Sequence, residues 1–178
     1  MITTPLIPKP LEGTPKWGTI SESQVKEAIT VLEQIPGEIE RLEESFTGEE
    51  VNFCYREGGW AIRQIIHHLA DSHINAYIRM KLAVTEPGKT VTTYDENAWA
   101  ALIDGRDEDI YPSLLILMGL HERWTLFLNS LSEEQLKLTY IHPVKGSKTL
   151  AEATLDYAWH ALHHLAQIEL ALQKKIVE

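Results

Sequence analysis

The chain reads as an all-α protein, a four-helix bundle with short connecting helices. Three observations lead there. Four long segments carry apolar residues at steps of three and four, the mark of a helix that buries one face. Capping-box spacings, a Ser or Thr with Gln or Glu three residues on, open several helical segments. No stretch of alternating apolar and polar residues competes with them, and no self-similarity with a period of about 20–50 residues is present.

The elements follow in order along the 178 residues. Residues 1–18 hold four of the eight prolines and read as an extended, proline-rich arm lying over the surface. The first helix starts at Ser21, with Gln24 in capping-box position. Val25, Ala28, Ile29, Leu32, Ile35, Ile39, Leu42 and Phe46 form its apolar stripe; Glu33, Glu40, Glu43 and Glu44 form its solvated side. Pro36-Gly37 falls inside it without shifting the phase, which predicts a kink or a very short break. Thr47 to Gly59 is a loop. The second helix runs from about Trp60 to Val84 on Ile62, Ile65, Ile66, Leu69, Ile74, Tyr77 and Met80, and Pro87-Gly88 closes it. A short helix is expected at Asp95 to Ile103, then a polar turn at Asp104 to Asp109. The third long helix, Ser113 to Leu131, is apolar nearly all round and so is expected to be buried. Ser132 and Gln135 mark a further short helix. His142 to Gly146 is a turn, with room for minor strands between Lys137 and Thr149. Thr149 and Glu152 cap the last long helix, which continues to about Lys175.

Composition narrows the class. Acidic residues number 26 and basic ones 16, for a net charge of −10, which argues against a nucleic-acid partner because phosphate binding needs a basic face. The longest strongly apolar stretch is Leu114 to Leu120, far short of the roughly 20 residues that span a membrane. The N-terminus lacks a charged region followed by an apolar one. A single cysteine, Cys54, excludes an internal disulfide and a cysteine-based zinc cluster. These features are read as one cytoplasmic domain, 1–178, with no membrane partner.

Histidine placement carries the chemistry. Six of the eight lie in two short helical segments: His67, His68 and His73 in IIHHLADSH, and His160, His163 and His164 in YAWHALHHLAQ. His160 and His164 are spaced i,i+4, so they project from one helix face a turn apart and can reach one ion. A third ligand from the second helix would complete a facial set of three. The segment 160–164 reads H-A-L-H-H and so lacks the glutamate of a metalloprotease HExxH motif. A lone histidine on an apolar helix is more often a hydrogen-bonded core residue than a ligand. Spacing does not choose between His67 and His68, nor between His163 and His164.

YREGGWAIRQIIHHLADSH together with YAWHALHHLAQ resembles the DinB/YfiT-like superfamily of four-helix metal-binding proteins, and the resemblance runs over nearly the whole chain. Members of its YfiT branch are described as metal-dependent hydrolases, and relatives as bacillithiol S-transferases. Members place a tryptophan before the second helix and a ligand histidine eight positions later, which here takes Trp60 to His68. The family's H-x-x-x-H falls on His160 and His164. The resemblance therefore implies one divalent ion, zinc or nickel, on His68, His160 and His164, and it implies a homodimer.

Three neutral imidazoles with an open position have the form of a catalytic site. The preferred reading is transfer of a small thiol such as bacillithiol to an electrophile, since coordination itself activates sulfur. Hydrolysis by metal-bound water is the alternative, and a metal-dependent binding or stress-response protein without turnover is the second alternative. Asp71, three residues after His68, and Asp156, four before His160, are candidates for a base or for a partner of a ligand. His121 and His142 are candidates for proton transfer. Arg79, eleven residues after His68, is the candidate for binding a substrate carboxylate. Trp60, Trp99, Trp124 and Trp159 are read as packing residues and Cys54 as inert. His67 and His73 are expected to be dispensable for metal binding.

Overall fold

A computed structural model describes Ile2, Ile7, Leu11, Gly13 and residues 15–177. Four long helices dominate: α1 (Glu22–Glu43), α2 (Ile62–Thr85), α4 (Tyr111–Asn129) and α6 (Leu150–Lys174). The connectors hold β1 (Phe53–Cys54), α3 (Glu96–Ala100), α5 (Glu133–Leu136), β2 (Thr139–His142) and β3 (Gly146–Thr149); β4 (Ile176–Val177) follows α6. The expected capping boxes are present at Ser21, Ser132 and Thr149, each side chain accepting from the backbone three residues on.

Helix α1 packs mainly against α4 and α6, and α2 packs against the same pair. The chain therefore crosses the bundle diagonally from α1 to α2 and again from α4 to α6. Leu32, Ile35 and Ile39 of α1 meet Ile62, Ile65, Ile66, Leu69 and Met80 of α2, with Leu117, Trp124 and Leu128 of α4 and Leu155 and Ile168 of α6, all buried. Each such aliphatic side chain removed from water contributes about 1.5–3 kcal/mol. The β2–β3 hairpin pairs antiparallel just before α6 and ties to the segment after α2, where Gly88 N–H donates to the Thr139 carbonyl at 2.7 Å. Gly88 sits there at φ 77°, a conformation suited to glycine. Strand β4 pairs with β1, aligning Cys54 with Ile176.

Several expectations change. Helix α1 runs through Pro36 without the very short break that is one of the two outcomes expected there. Proline has no N–H for the carbonyl four residues earlier, but that carbonyl, of Leu32, accepts instead from His121 Nδ1 at 2.5 Å. Helix α4 starts at Tyr111, with Pro112 in the first turn where no N–H is required. It is not buried all round: Leu115 is 50% exposed and Leu126 73%, with Ile116 and Met118 also outward. A corner helix turns only part of its surface to the core, and Leu114, Leu117, His121, Trp124 and Leu128 fill that part. The short helix after α2 is confined to Glu96–Ala100, and Asp104–Arg106 form a separate 3₁₀ turn. Most of the proline-rich arm, 1–18, lies outside the described residues. Of those described, Ile7 is buried in the core and Trp17 Nε1 donates to Asp156 Oδ1 at 2.7 Å. No helix among the described residues is long and apolar enough to cross a membrane.

Candidate metal centre

Helices α2 and α6 lie side by side, and their shared seam gathers His68, His160 and His164. One donor nitrogen from each lies within 4.8 Å of the others. His160 Nε2 stands 3.3 Å from His68 Nε2 and 3.1 Å from His164 Nε2. Two nitrogens bound tetrahedrally to one ion at about 2.05 Å are separated by about 3.3 Å, so the donors already have the spacing of a ligand set. Trp60 covers this seam: its ring lies 4.7 Å from that of His68 and stacks on His164 at 6.3 Å. It packs against the core and against two of the three candidate ligands.

Burial keeps the three rings neutral. It lowers His68 to about 4. Burial first, and the neighbouring histidines second, hold His160 and His164 well below the ordinary 6.5. Each thus offers a lone pair at pH 7, the form a metal needs.

Hydrogen bonding decides which nitrogen carries that lone pair on two of the rings. The Leu32 carbonyl can only accept, so His121 Nδ1 holds its proton and donates. Burial lowers His121 to about 4 and, with help from His121, holds His73 well below its ordinary value, so both rings carry one proton. His121 Nε2 must then accept from His73 Nδ1 at 2.7 Å, and His73 Nε2 accepts from His160 Nδ1 at 3.4 Å. His160 Nε2 is left bare. The chain of bonds runs from α6 through α2 and α4 to α1, so all four long helices orient this one ring. On the other side, His164 Nδ1 donates to Gln167 Oε1 at 2.8 Å while the Gln167 amide donates to His163 Nε2 at 3.0 Å. His164 Nε2 is left bare as well. Two lone pairs facing each other at 3.1 Å repel unless a cation lies between them, so the donor chemistry fits a divalent ion.

The other sequence candidates fall elsewhere. His67 faces α4, accepting from Ser113 Oγ at 2.8 Å and donating to the Asp107 carbonyl at 3.0 Å. Asp156 lies away from the cluster, bound to Lys148 at 3.0 Å and to Trp17. Asp71 is half-buried, with burial first and Asp104 second raising its carboxyl, and it is no member of the histidine cluster. His121 sits two rings behind His160 as an orienting group, and His142 Nδ1 accepts from the backbone of its own turn. Cys54 is buried. Arg79 is buried beside Tyr157, whose ring lies 5.8 Å from that of His160. Sequence reasoning did not single out Gln167, Tyr157 or Ser72; the only local signal was their i±3 or i+4 offset from a candidate ligand. His163, the alternative to His164 that spacing left open, is not in the ligand cluster and instead accepts from Gln167.

Residues 32–168 match the family model of the DinB superfamily. The chain is 43% identical over 151 residues to a Bacillus subtilis protein named "Putative metal-dependent hydrolase YfiT", covering 84% of this chain and 85% of that one. It is 40% identical over 158 residues to a protein of the same description from Oceanobacillus iheyensis, covering 89% and 91%. Among solved structures it superposes on Bacillus subtilis YfiT, described as a probable metal-dependent hydrolase with an unusual four-helix bundle topology. The TM-score is 0.85 at 41% identity, over 90% of this chain and 93% of that one. A second four-helix bundle protein, TT2238, matches with a TM-score of 0.53 at 19% identity over 84% and 98%, a likeness of fold alone.

Proposed function

The chain belongs to the DinB superfamily, and from that premise we propose a metal-dependent enzyme that joins a small thiol, of the bacillithiol type, to an electrophilic substrate. The observation that carries this reading is the convergence of three neutral nitrogen donors with no described carboxylate in the cluster. His68, His160 and His164 would hold one divalent ion, zinc or nickel, both of which suit imidazole. When bound, the ion supplies Lewis-acid stabilisation of an anionic nucleophile at the position the three histidines leave free. The protein's part is to keep the donors bare and fixed, through His73 and His121 on one side and Gln167 on the other, and to shield the seam with Trp60. In the reaction the thiol releases its proton to solvent. Its sulfur lone pair forms a bond to the electrophilic carbon, and the leaving group departs with the bonding pair.

Hydrolysis is the second reading, favoured by the names of the relatives. It benefits from a positioned general base, and the two aspartates offered by the sequence stand outside the cluster. The same reading carries a homodimer. The outward apolar residues of α4, Leu115, Ile116, Met118 and Leu126, support it by offering a face to cover.

The test begins with metal content, measured on untagged protein purified without chelating resin beside His160→Ala. The expected result is about one zinc or nickel per chain, lost in the variant. The loaded protein is then offered thiols with an alkyl halide, and separately p-nitrophenyl esters and amides. Metal-dependent thiol consumption supports transfer, and ester or amide cleavage alone supports hydrolysis. Metal binding with neither leaves a binding protein, and no metal at all overturns both enzyme readings.

A further inference from the structure

Next to the histidine seam lies a buried arginine without an acidic partner. Arg79 is 7% exposed. Its Nη2 donates to the Thr92 carbonyl at 2.7 Å and its Nη1 to the Tyr157 hydroxyl at 3.4 Å, while Nε has no partner. Among the described residues no carboxylate pairs with it. Asp156 acts on Lys148 and Trp17 instead. A carbonyl and a hydroxyl meet the guanidinium where a carboxylate would form the stronger, charge-assisted pair.

Besides the Thr92 carbonyl and His142, the groups around it are hydroxyls. Ser72 lies near enough to the phenols of Tyr94 and Tyr157 to act on both. Burial pushes Tyr94 up to about 12 and raises Tyr157 and Tyr140, so none of these phenols ionises to neutralise the arginine. The cluster continues the metal seam. Ser72 follows His68 by one turn on α2, and Arg79 follows it by eleven residues, which returns it to within about 20° of the same helix face. Tyr157 precedes His160 by one turn on α6, and Tyr157, Tyr94 and His160 are partly open to solvent.

We propose that Arg79, flanked by the hydroxyls of Ser72, Tyr94 and Tyr157, is an anion subsite that binds the carboxylate of a ligand whose other end reaches His68, His160 and His164. The free Nε–H and the remaining Nη hydrogens supply the fork that a carboxylate accepts in two parallel bonds. Small mercaptocarboxylates are therefore the thiol class this centre takes. The inference rests on the reading of the three histidines as ligands.

Cobalt(II)-loaded protein tests it, because sulfur-to-cobalt charge-transfer absorption reports the thiol directly. The better of 3-mercaptopropionate and 4-mercaptobutyrate is expected to bind about tenfold more tightly than 2-mercaptoethanol to the wild type. Arg79→Gln removes that preference while leaving 2-mercaptoethanol unchanged, Arg79→Lys keeps part of it, and Tyr157→Phe weakens it. Equal binding of charged and uncharged thiols by the wild type overturns the subsite, as does a preference that survives in Arg79→Gln. Should Arg79→Gln not fold, Arg79→Lys and Tyr157→Phe decide: a preference undiminished in both overturns the subsite. If cobalt is not taken up, the ligand reading fails and the arginine is read alone, by melting of metal-free protein in glutarate against chloride. A rise in wild type that is lost in Arg79→Gln, or reduced in Tyr157→Phe, supports the subsite; no rise overturns it.

Discussion

Replacing His73 by phenylalanine keeps the bulk of the ring and removes both nitrogens that join His160 to His121. His160 Nδ1–H then loses its acceptor at 3.4 Å, and His121 Nε2 loses its donor at 2.7 Å. A buried group left unpaired costs about 1–3 kcal/mol, and the longer of the two bonds belongs at the low end, so stability should fall by about 2–4 kcal/mol. The effect on the metal is separate. His160 becomes free to carry its proton on Nε2, which must leave before an ion can bind, and loss of such an orienting partner lowers metal affinity by about 10–100-fold. Zinc competition against a chromogenic chelator at neutral pH measures this, with chemical unfolding run in parallel. His67→Phe is the control, since His67 bonds to Ser113 and Asp107 and not to the cluster. A folded His73→Phe protein with wild-type zinc affinity would refute the orienting chain. The sequence reading expects His73 to be dispensable for metal binding; its bond to His160 is the ground for expecting otherwise, and the zinc competition decides between the two.

Further outcomes follow from the same geometry. Alanine at His68, His160 or His164 should abolish tight metal binding, read by metal content, whereas His67→Ala should keep it. Gln167→Leu removes the acceptor that holds His164 Nδ1–H and should weaken zinc by about tenfold, measured by the same competition. In metal-free protein, His68 and His121 are held at about 4 against the ordinary 6.5. The unfolded chain therefore binds more protons between those values, and stability present in full above pH 6.5 should be lost as the pH falls towards 4. Urea midpoints that stay flat across that window would contradict the burial of these rings. Sedimentation equilibrium should give twice the 20.2 kDa chain mass, and Leu115→Glu should shift it towards the monomer.

The helices were readable because the forces that start and stop them act within one turn. Ser21, Ser132 and Thr149 cap through residues three positions on, and the apolar stripe of α1 needs only its own periodicity. The i,i+4 pair His160 and His164 was legible for the same reason. Choosing His68 over His67 needed the family resemblance. The structure brings His68 to the pair because adjacent residues on a helix point about 100° apart, and that rotation turns His67 to α4. The surface of α4 was misjudged because apolar content does not tell a buried helix from one with an outward apolar face. Asp156 was misplaced because its partners, Lys148 and Trp17, lie on the hairpin and in the segment before α1.

By itself the sequence determined which segments are helical, where they are capped and which residues have the chemistry of a ligand. All of these depend on neighbours a few positions apart. Tertiary structure alone decided that Leu32, freed by Pro36, anchors His121, that His121 and His73 orient His160, and that Arg79 is buried with no ion-paired carboxylate among the described residues. Those bonds join residues 89, 48 and 87 positions apart, and only the packing of all four helices brings them within reach of one another.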